Sequence, residues 1–562
     1  MFAHNRMSRF ASNTNKYSSR GKTSLWWSAT LSALLAPTLP ILDNVCSGQD
    51  PTPASSEPTD SIDQHLKTML RIIDEGKNRN QTMTHLGYLC GSIGPRLTGS
   101  SRLEEANNWT AEQFKSFGLQ NVELKKWGEI PIRFNRGPCS GKVIEPFTRD
   151  IEFTSRAWSA GTDGPRRGPV LREPQSPEEL QEVADKLSGA WLLRPAGAKP
   201  SIVVERLESA GIAGFITAAR GETVTTGGVP GITKLKMEEL PRAVTVTVRR
   251  SDYDAINSRL ADKENVVVEF DLKHEFIEGP FPVYNTIAEI PGSEKPDEFV
   301  IISAHLDSWD GPGSQGTVDN GTGSSVTIEA ARILMAAEAK PKRSIRFILW
   351  SGEEQGLLGS KAYVDQLSEE ERAKISAVFV DDSGTNQQAS ITCVANMADM
   401  LKKAIEPMNY AFPDSPIRLI VQSRMPRGGA SDHSPFNAVG IPGFFWGKTG
   451  VAKYSYAWHT QNDKIDQAIP EYLTKNSTVS AIVAYSLADA DTLLPRAPAV
   501  QEDDEAGERP RRRRGDRQGE SGDATAEATA TETKPPATEN ATATTAESTT
   551  PPKADPPKPE DK

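Results

Sequence analysis

Phe299-Val-Ile-Ile-Ser-Ala304, Gly323-Ser-Ser-Val-Thr-Ile-Glu-Ala-Ala-Arg-Ile-Leu-Met-Ala-Ala-Glu-Ala339 and Ser344-Ile-Arg-Phe-Ile-Leu-Trp350 decide the fold of this chain. The outer two are short apolar runs of the kind buried in a sheet. The middle one carries apolar residues at helical spacing. Strand, helix, strand predicts an α/β fold with a mostly parallel central sheet flanked by helices. Ala377–Val380 and Arg418–Val421 read as two further buried strands. Ser61–Ile73 and Leu103–Phe117 read as helices on the N-terminal side.

Outward from this core the texture changes. Residues 150–275 hold a short polar helix, Glu178–Lys186, and short strands at Trp191–Leu193, Gly214–Thr217 and Val244–Val248, with many glycines and prolines between. This predicts a small β-rich module inserted into a larger domain of residues 60–149 and 276–495. From residue 496 to 562 the chain is rich in Ala, Thr, Glu and Pro, with an Arg511–Arg514 run. Such a segment buries too little apolar surface to offset chain entropy, so it reads as a disordered tail. At the other end Arg6, Arg9, Lys16, Arg20 and Lys22 precede the apolar run Ser24–Leu42, and the first acidic residue is Asp43. A basic stretch before an apolar one marks residues 1–47 as an export signal, or as an N-terminal membrane anchor if uncleaved.

The 562 residues carry 64 basic and 75 acidic side chains, a net charge of -11, which argues against a nucleic-acid partner. Cys46, Cys90, Cys139 and Cys393 are too few and too scattered for a disulfide scaffold or a cysteine-ligated cluster. A Cys90–Cys139 disulfide and unpaired buried thiols are equally compatible with the spacing.

Three of the strands run straight into polar residues: His305-Leu306-Asp307, Ser351-Gly352-Glu353-Glu354 and Asp381-Asp382. In an open α/β sheet ligands bind at the carboxyl ends of strands, so three segments deliver His, Glu and Asp to one crevice. Each piece alone carries little: a lone histidine is usually structural, and an Asp after a strand is often a helix cap. Together with Asp319 and His459 they supply imidazole and carboxylate donors, good zinc ligands without any cysteine.

The segments His305-Leu-Asp-Ser-Trp-Asp-Gly311, Thr317-Val-Asp-Asn-Gly-Thr-Gly-Ser-Ser325, Trp350-Ser-Gly-Glu-Glu-Gln-Gly-Leu-Leu-Gly-Ser360, Asp381-Asp-Ser-Gly-Thr385 and Tyr456-Ala-Trp-His-Thr-Gln-Asn-Asp463, in this order, resemble the co-catalytic zinc exopeptidase family. That family includes bacterial leucyl-type aminopeptidases and plasma glutamate carboxypeptidase. Gly94-Pro-Arg-Leu-Thr-Gly-Ser100 fits the second subgroup, and the inserted module is similar to its protease-associated domain. The resemblance covers roughly residues 60–490. It implies two zinc ions, with His305 on one, His459 on the other and Asp319 bridging. Glu354 would complete one site and Asp382, preferred over Asp381, the other. Glu353 would be the general base, and Asp307 would hydrogen-bond His305 and fix its tautomer. Asp319–Asn320 would be a cis peptide. Tyr454 or Tyr456 would meet the reacting carbonyl oxygen. Asp432 and His433 would either shape the pocket or fix a helix start, and Asp463 would be structural. Arg424, Arg427 and Lys448 fall in plausible pocket loops.

The function implied is a secreted or periplasmic metallo-exopeptidase that cleaves short peptides, as an aminopeptidase or dipeptidase, through a zinc-bridging water and a glutamate base. A carboxypeptidase of the plasma glutamate type is the alternative. A non-catalytic binding protein and a one-zinc aminoacyl cyclase on the same fold are less favoured. A serine hydrolase is disfavoured, because no GxSxG elbow follows a strand. The peptide substrate is the expected partner, and an N-terminal membrane tether and a homodimer are left open.

Overall fold

The computed structural model describes residues 57–426 and 429–498. The export signal or anchor at 1–47, and the tail beyond residue 498, lie outside the described residues. No helix among the described residues is long and apolar enough to cross a membrane.

The central sheet runs in the order Gly443–Phe445, Ile375–Val380, Lys295–His305, Arg343–Trp350, Val267–Ile290. The first four strands are mutually parallel, and Val267–Ile290 lies antiparallel to Arg343–Trp350. The strand Ile375–Val380 is buried along its whole length, and so are Val300–His305 within theirs, as expected for a sheet covered on both faces. Pairing of Trp350 with His305, and of Val380 with Ser303, brings three strand ends to one edge.

The helix Thr322–Ala336 connects two of these strands and is buried from Thr322 to Leu334. It is packed between the sheet and the helices Glu57–Asn78, Ser101–Phe117 and Pro470–Ala488. Its buried Glu329 and Arg332 pair with each other at 2.8 Å, and Arg332 reaches Glu75 of the first helix at 2.7 Å. Ser100 caps the helix Ser101–Phe117 by accepting the Leu103 N–H.

Two elements escape the sequence reading. Gln120–Glu145 and Val267–Ile290 form one long antiparallel ribbon, 26 and 24 residues, several times the usual strand length. Arg166–Arg172 pairs with its Val267–Phe270 end, so the strands of residues 150–275 continue the central sheet through this ribbon. The module still has its own core, in which Trp191, Phe153 and Phe270 pack together.

Arg418–Val421 is a strand, but not a buried central one. It is the edge of a separate three-stranded sheet with Gln387–Val394 and Gly447–Thr449, and Ile420 and Val421 are exposed. Cys90, Cys139 and Cys393 are free thiols, so no Cys90–Cys139 bridge forms.

Candidate metal centre

His305 ends its strand with a fully buried ring. Its Nε2 lies 3.1 Å from Asp382 Oδ1 and 3.3 Å from Asp319 Oδ1. The other oxygen of Asp319 lies 3.2 Å from His459 Nε2, which is itself 2.9 Å from Glu354 Oε2. Two groups result, His305–Asp319–Asp382 and Asp319–Glu354–His459, and in each the donor atoms lie within 4.8 Å of one another. Asp319 belongs to both. Glu353 belongs to neither.

Local folding explains how these side chains are held. Asp319 is followed by a cis peptide bond to Asn320, and its backbone lies outside the helical region just before the helix Thr322–Ala336. Asp463 accepts the N–H groups of Val318 and, at 3.3 Å, Asp319, so it anchors this turn. Asn320 donates to Asp381 O at 2.8 Å and ties the turn to the next strand. His459 adopts a left-handed backbone with φ +52, and Trp458 stacks on its ring at 4.1 Å.

The Gly94–Ser100 segment is the scaffold beneath the His305 strand. Arg96 is fully buried and donates to the carbonyls of Leu306 (2.7 Å), Gly94 (2.9 Å), Gln315 (3.2 Å) and Gly316 (2.7 Å). Thr98 donates to Asp307 Oδ2 at 2.9 Å. The motif was visible in sequence, but these two roles depend on loops some 210 positions away.

Asp307 requires a correction. His305 Nδ1 is hydrogen-bonded to the Asp307 backbone carbonyl at 2.9 Å, while the carboxylate is 3.8 Å away, too far for a hydrogen bond. The carboxylate instead accepts the N–H groups of Glu353 and Glu354. Asp381 also separates from Asp382. It pairs with the buried Lys448 and accepts from Gln388 Nε2 at 2.9 Å. Lys448 is thereby engaged by Asp381 and by the Gly384 carbonyl, while Arg427 lies outside the described residues.

The weaker candidates divide. At Tyr454 burial first, and then the charges of Asp319, Asp382, Glu354 and Glu353, push the phenol well above the usual range. Tyr456 is 49% exposed. Asp432 precedes the short helix His433–Ala438 but makes no cap hydrogen bond, so it does not fix the helix start. Its carboxylate accepts from Ser360 Oγ at 2.5 Å, and burial first, with the nearby Asp382 and Asp307, raises its pKa to about 7. Burial alone lowers the His433 imidazole to about 4.

The cluster is rich in negative charge. Burial, then Asp319, raises Glu354 to about 7, and burial with Asp382, Asp432 and Glu354 pushes Glu353 well above the carboxylate range. The donor set fits a pair of divalent cations: imidazole and carboxylate suit zinc, and the charge is of the sign a cation would offset. Asp319 Oδ2 is buried without a hydrogen bond, as an oxygen left free for a metal would be.

The chain is similar to known proteins. Residues 285–484 match the model of peptidase family M28. The chain is 29% identical over 443 residues to carboxypeptidase Q of Mus musculus, covering 77% of this chain and 90% of that protein. It is 33% identical over 204 residues to aminopeptidase YwaD of Bacillus subtilis, covering 35% of this chain and 42% of that one. The crystal structure of a peptidase M28 precursor from Shewanella amazonensis superimposes with a TM-score of 0.56 and 27% identity, over 78% of this chain and 100% of that one. The chain is therefore a metallo-exopeptidase.

Proposed function

We propose that this chain is an exported exopeptidase that holds two zinc ions and hydrolyses dipeptides and other short peptides. The observation that carries this reading is the sharing of Asp319 between two His/carboxylate groups. His305 and Asp382 would hold one ion, His459 and Glu354 the other, and Asp319 would bridge. When bound, zinc lowers the pKa of the attacking water and polarises the scissile carbonyl.

The chain's own groups do the rest. Glu353 lies in the cluster but in neither donor group, which leaves its carboxylate to take the proton of the attacking water and return it to the leaving amine. The Tyr454 hydroxyl donates to the carbonyl oxygen as charge develops there. Asp307 positions Glu353 through its backbone. Export is supported by the basic and apolar order of residues 6–42.

A second reading, carboxypeptidase rather than aminopeptidase or dipeptidase, is favoured by the span of the carboxypeptidase Q match, 90% of that protein. One experiment tests both. Zinc per chain is counted in the purified protein, which is then offered free-amine dipeptides and their N-blocked counterparts. Two zinc ions with cleavage of the free-amine set alone support the dipeptidase or aminopeptidase. Cleavage of the blocked set supports the carboxypeptidase. Absence of both metal and cleavage under zinc-replete conditions overturns the enzyme reading in favour of a binding protein.

A further inference from the structure

A loop of the 150–275 module is seated against the segment that carries His459. Thr226 donates its backbone N–H to the His459 carbonyl at 2.7 Å, and Gln461 donates its N–H to the Val224 carbonyl at 3.2 Å. Between them Thr225 and Thr460 form an isolated antiparallel bridge. Gln461 Nε2 adds a bond to Glu152 Oε2 at 2.7 Å, from the module's other end. His459, held this way, has a left-handed backbone, a conformation a β-substituted residue keeps only when its surroundings enforce it.

The same loop reaches the second member of that donor group. Gly228 lies against Trp309, where an added Cβ would lie 2.7 Å from the indole. Trp309 meets the His459 ring edge-on at 6.4 Å and donates its backbone N–H to Glu354 Oε1 at 3.2 Å. The loop itself is pinned from within the module: Ala157 donates to Gly227 O at 2.8 Å, and the Arg156 guanidinium binds Gly228 O at 3.1 Å. His459 and Glu354 are thus both supported by contacts that end on residues 224–228, whereas His305 is held by its neighbouring strand, the Asp307 carbonyl, Ser324 and Asp382.

We infer that the 224–228 loop is a positioning element for one metal site, so that the module sets the affinity of the His459–Glu354 site and leaves the His305–Asp382 site alone. This rests on the two-zinc reading above. The support is of the outer-shell kind, whose loss typically lowers metal affinity about 10- to 100-fold. Thr226→Pro removes the donated N–H, Thr226→Ala keeps it, and Gly228→Ala pushes on Trp309 without removing a hydrogen bond.

The test is zinc release from the full chain in competition with a chromogenic chelator, followed alongside the thermal unfolding midpoint. The wild type should release two zinc ions. Thr226→Pro and Gly228→Ala should give up one of them at roughly 10-fold lower chelator concentration and the other as in the wild type. Thr226→Ala should keep both. His459→Ala, which should hold one ion, fixes the reference. If Thr226→Pro proves unfolded, Gly228→Ala decides. A wild type with two ions and variants of unchanged affinity overturns the inference alone. A wild type with fewer than two overturns the two-zinc reading and the inference with it.

Discussion

The Asp307 carboxylate accepts the backbone N–H of Glu353 at 3.2 Å. With the Glu354 N–H on its second oxygen at 3.3 Å and the Thr98 hydroxyl at 2.9 Å, it fastens the turn that carries both glutamates. Asp307→Ala leaves these two N–H groups without their acceptor. The expected result is a fall in kcat/KM of about 10- to 100-fold, with the thermal midpoint lowered as well. Steady-state kinetics and a melting curve on one preparation check both.

Glu353→Gln removes the base and keeps the side-chain volume. Zinc content should be that of the wild type, and kcat should drop about 100- to 10,000-fold. A variant that turns over near the wild-type rate would place the base elsewhere.

Asp381 and Asp382 are adjacent but should fail in different ways. Asp382→Ala should lose one zinc ion with modest effect on unfolding, because its partner in this structure is His305. Asp381→Ala should keep its zinc and lose stability, because it strands the buried Lys448 ammonium. Removing one partner of a buried pair costs about 3–5 kcal/mol. Metal analysis and urea unfolding separate the two.

Tyr454→Phe removes a hydroxyl whose ionisation the charges of the candidate catalytic carboxylates oppose. Loss of a donor to a developing oxyanion typically costs about 100-fold or more in kcat. Tyr456, half exposed, should show a far smaller effect on the same substitution. Parallel kcat measurements decide which tyrosine serves the reaction.

His274 supplies a pH dependence away from the metal centre. Its Nε2 faces Arg136 Nη1 at 3.1 Å, Ser155 Oγ at 3.3 Å and Cys139 Sγ at 3.9 Å, and its Nδ1 meets the Ser159 carbonyl at 3.0 Å. Burial, then the Arg136 cation, lowers its pKa from 6.5 to about 4, while the Ser159 carbonyl and then Asp310 pull the other way. A histidine kept neutral in the folded chain contributes stability that is fully present above pH 6.5 and is lost as pH falls toward 4. The full loss approaches about 3 kcal/mol. Urea unfolding at pH 7.5 and at pH 4.5 should show a steeper decline in the wild type than in His274→Gln.

The sequence alone determined the catalytic sheet and its order of events. Apolar runs at 299–304, 344–350 and 377–380 fall within strands of the structure, and the helical spacing at 323–339 falls on the helix Thr322–Ala336. Burial on both faces leaves an apolar run, and a run ending in His305, Glu353 or Asp381 already tells where polar groups emerge. The N-terminal helices and the short strands of the module were legible for the same reason: local periodicity reports local burial.

What only the tertiary structure decided involves partners far apart in the chain. Two adjacent aspartates look alike in sequence, and the pairing of Asp381 with Lys448 leaves Asp382 to face His305. Asp307 follows His305 closely, but its carboxylate turns to residues 353 and 354 because the parallel register brings that turn alongside. The long ribbon was missed because its middle, from Glu275 to Pro282, is half or fully exposed and lacks the alternation that marks a half-buried strand. Through that ribbon the module joins the sheet and brings residues 224–228 onto His459. Hydrogen bonds between backbone groups at such separations leave no trace in side-chain patterning, since any residue but proline carries the same N–H and carbonyl.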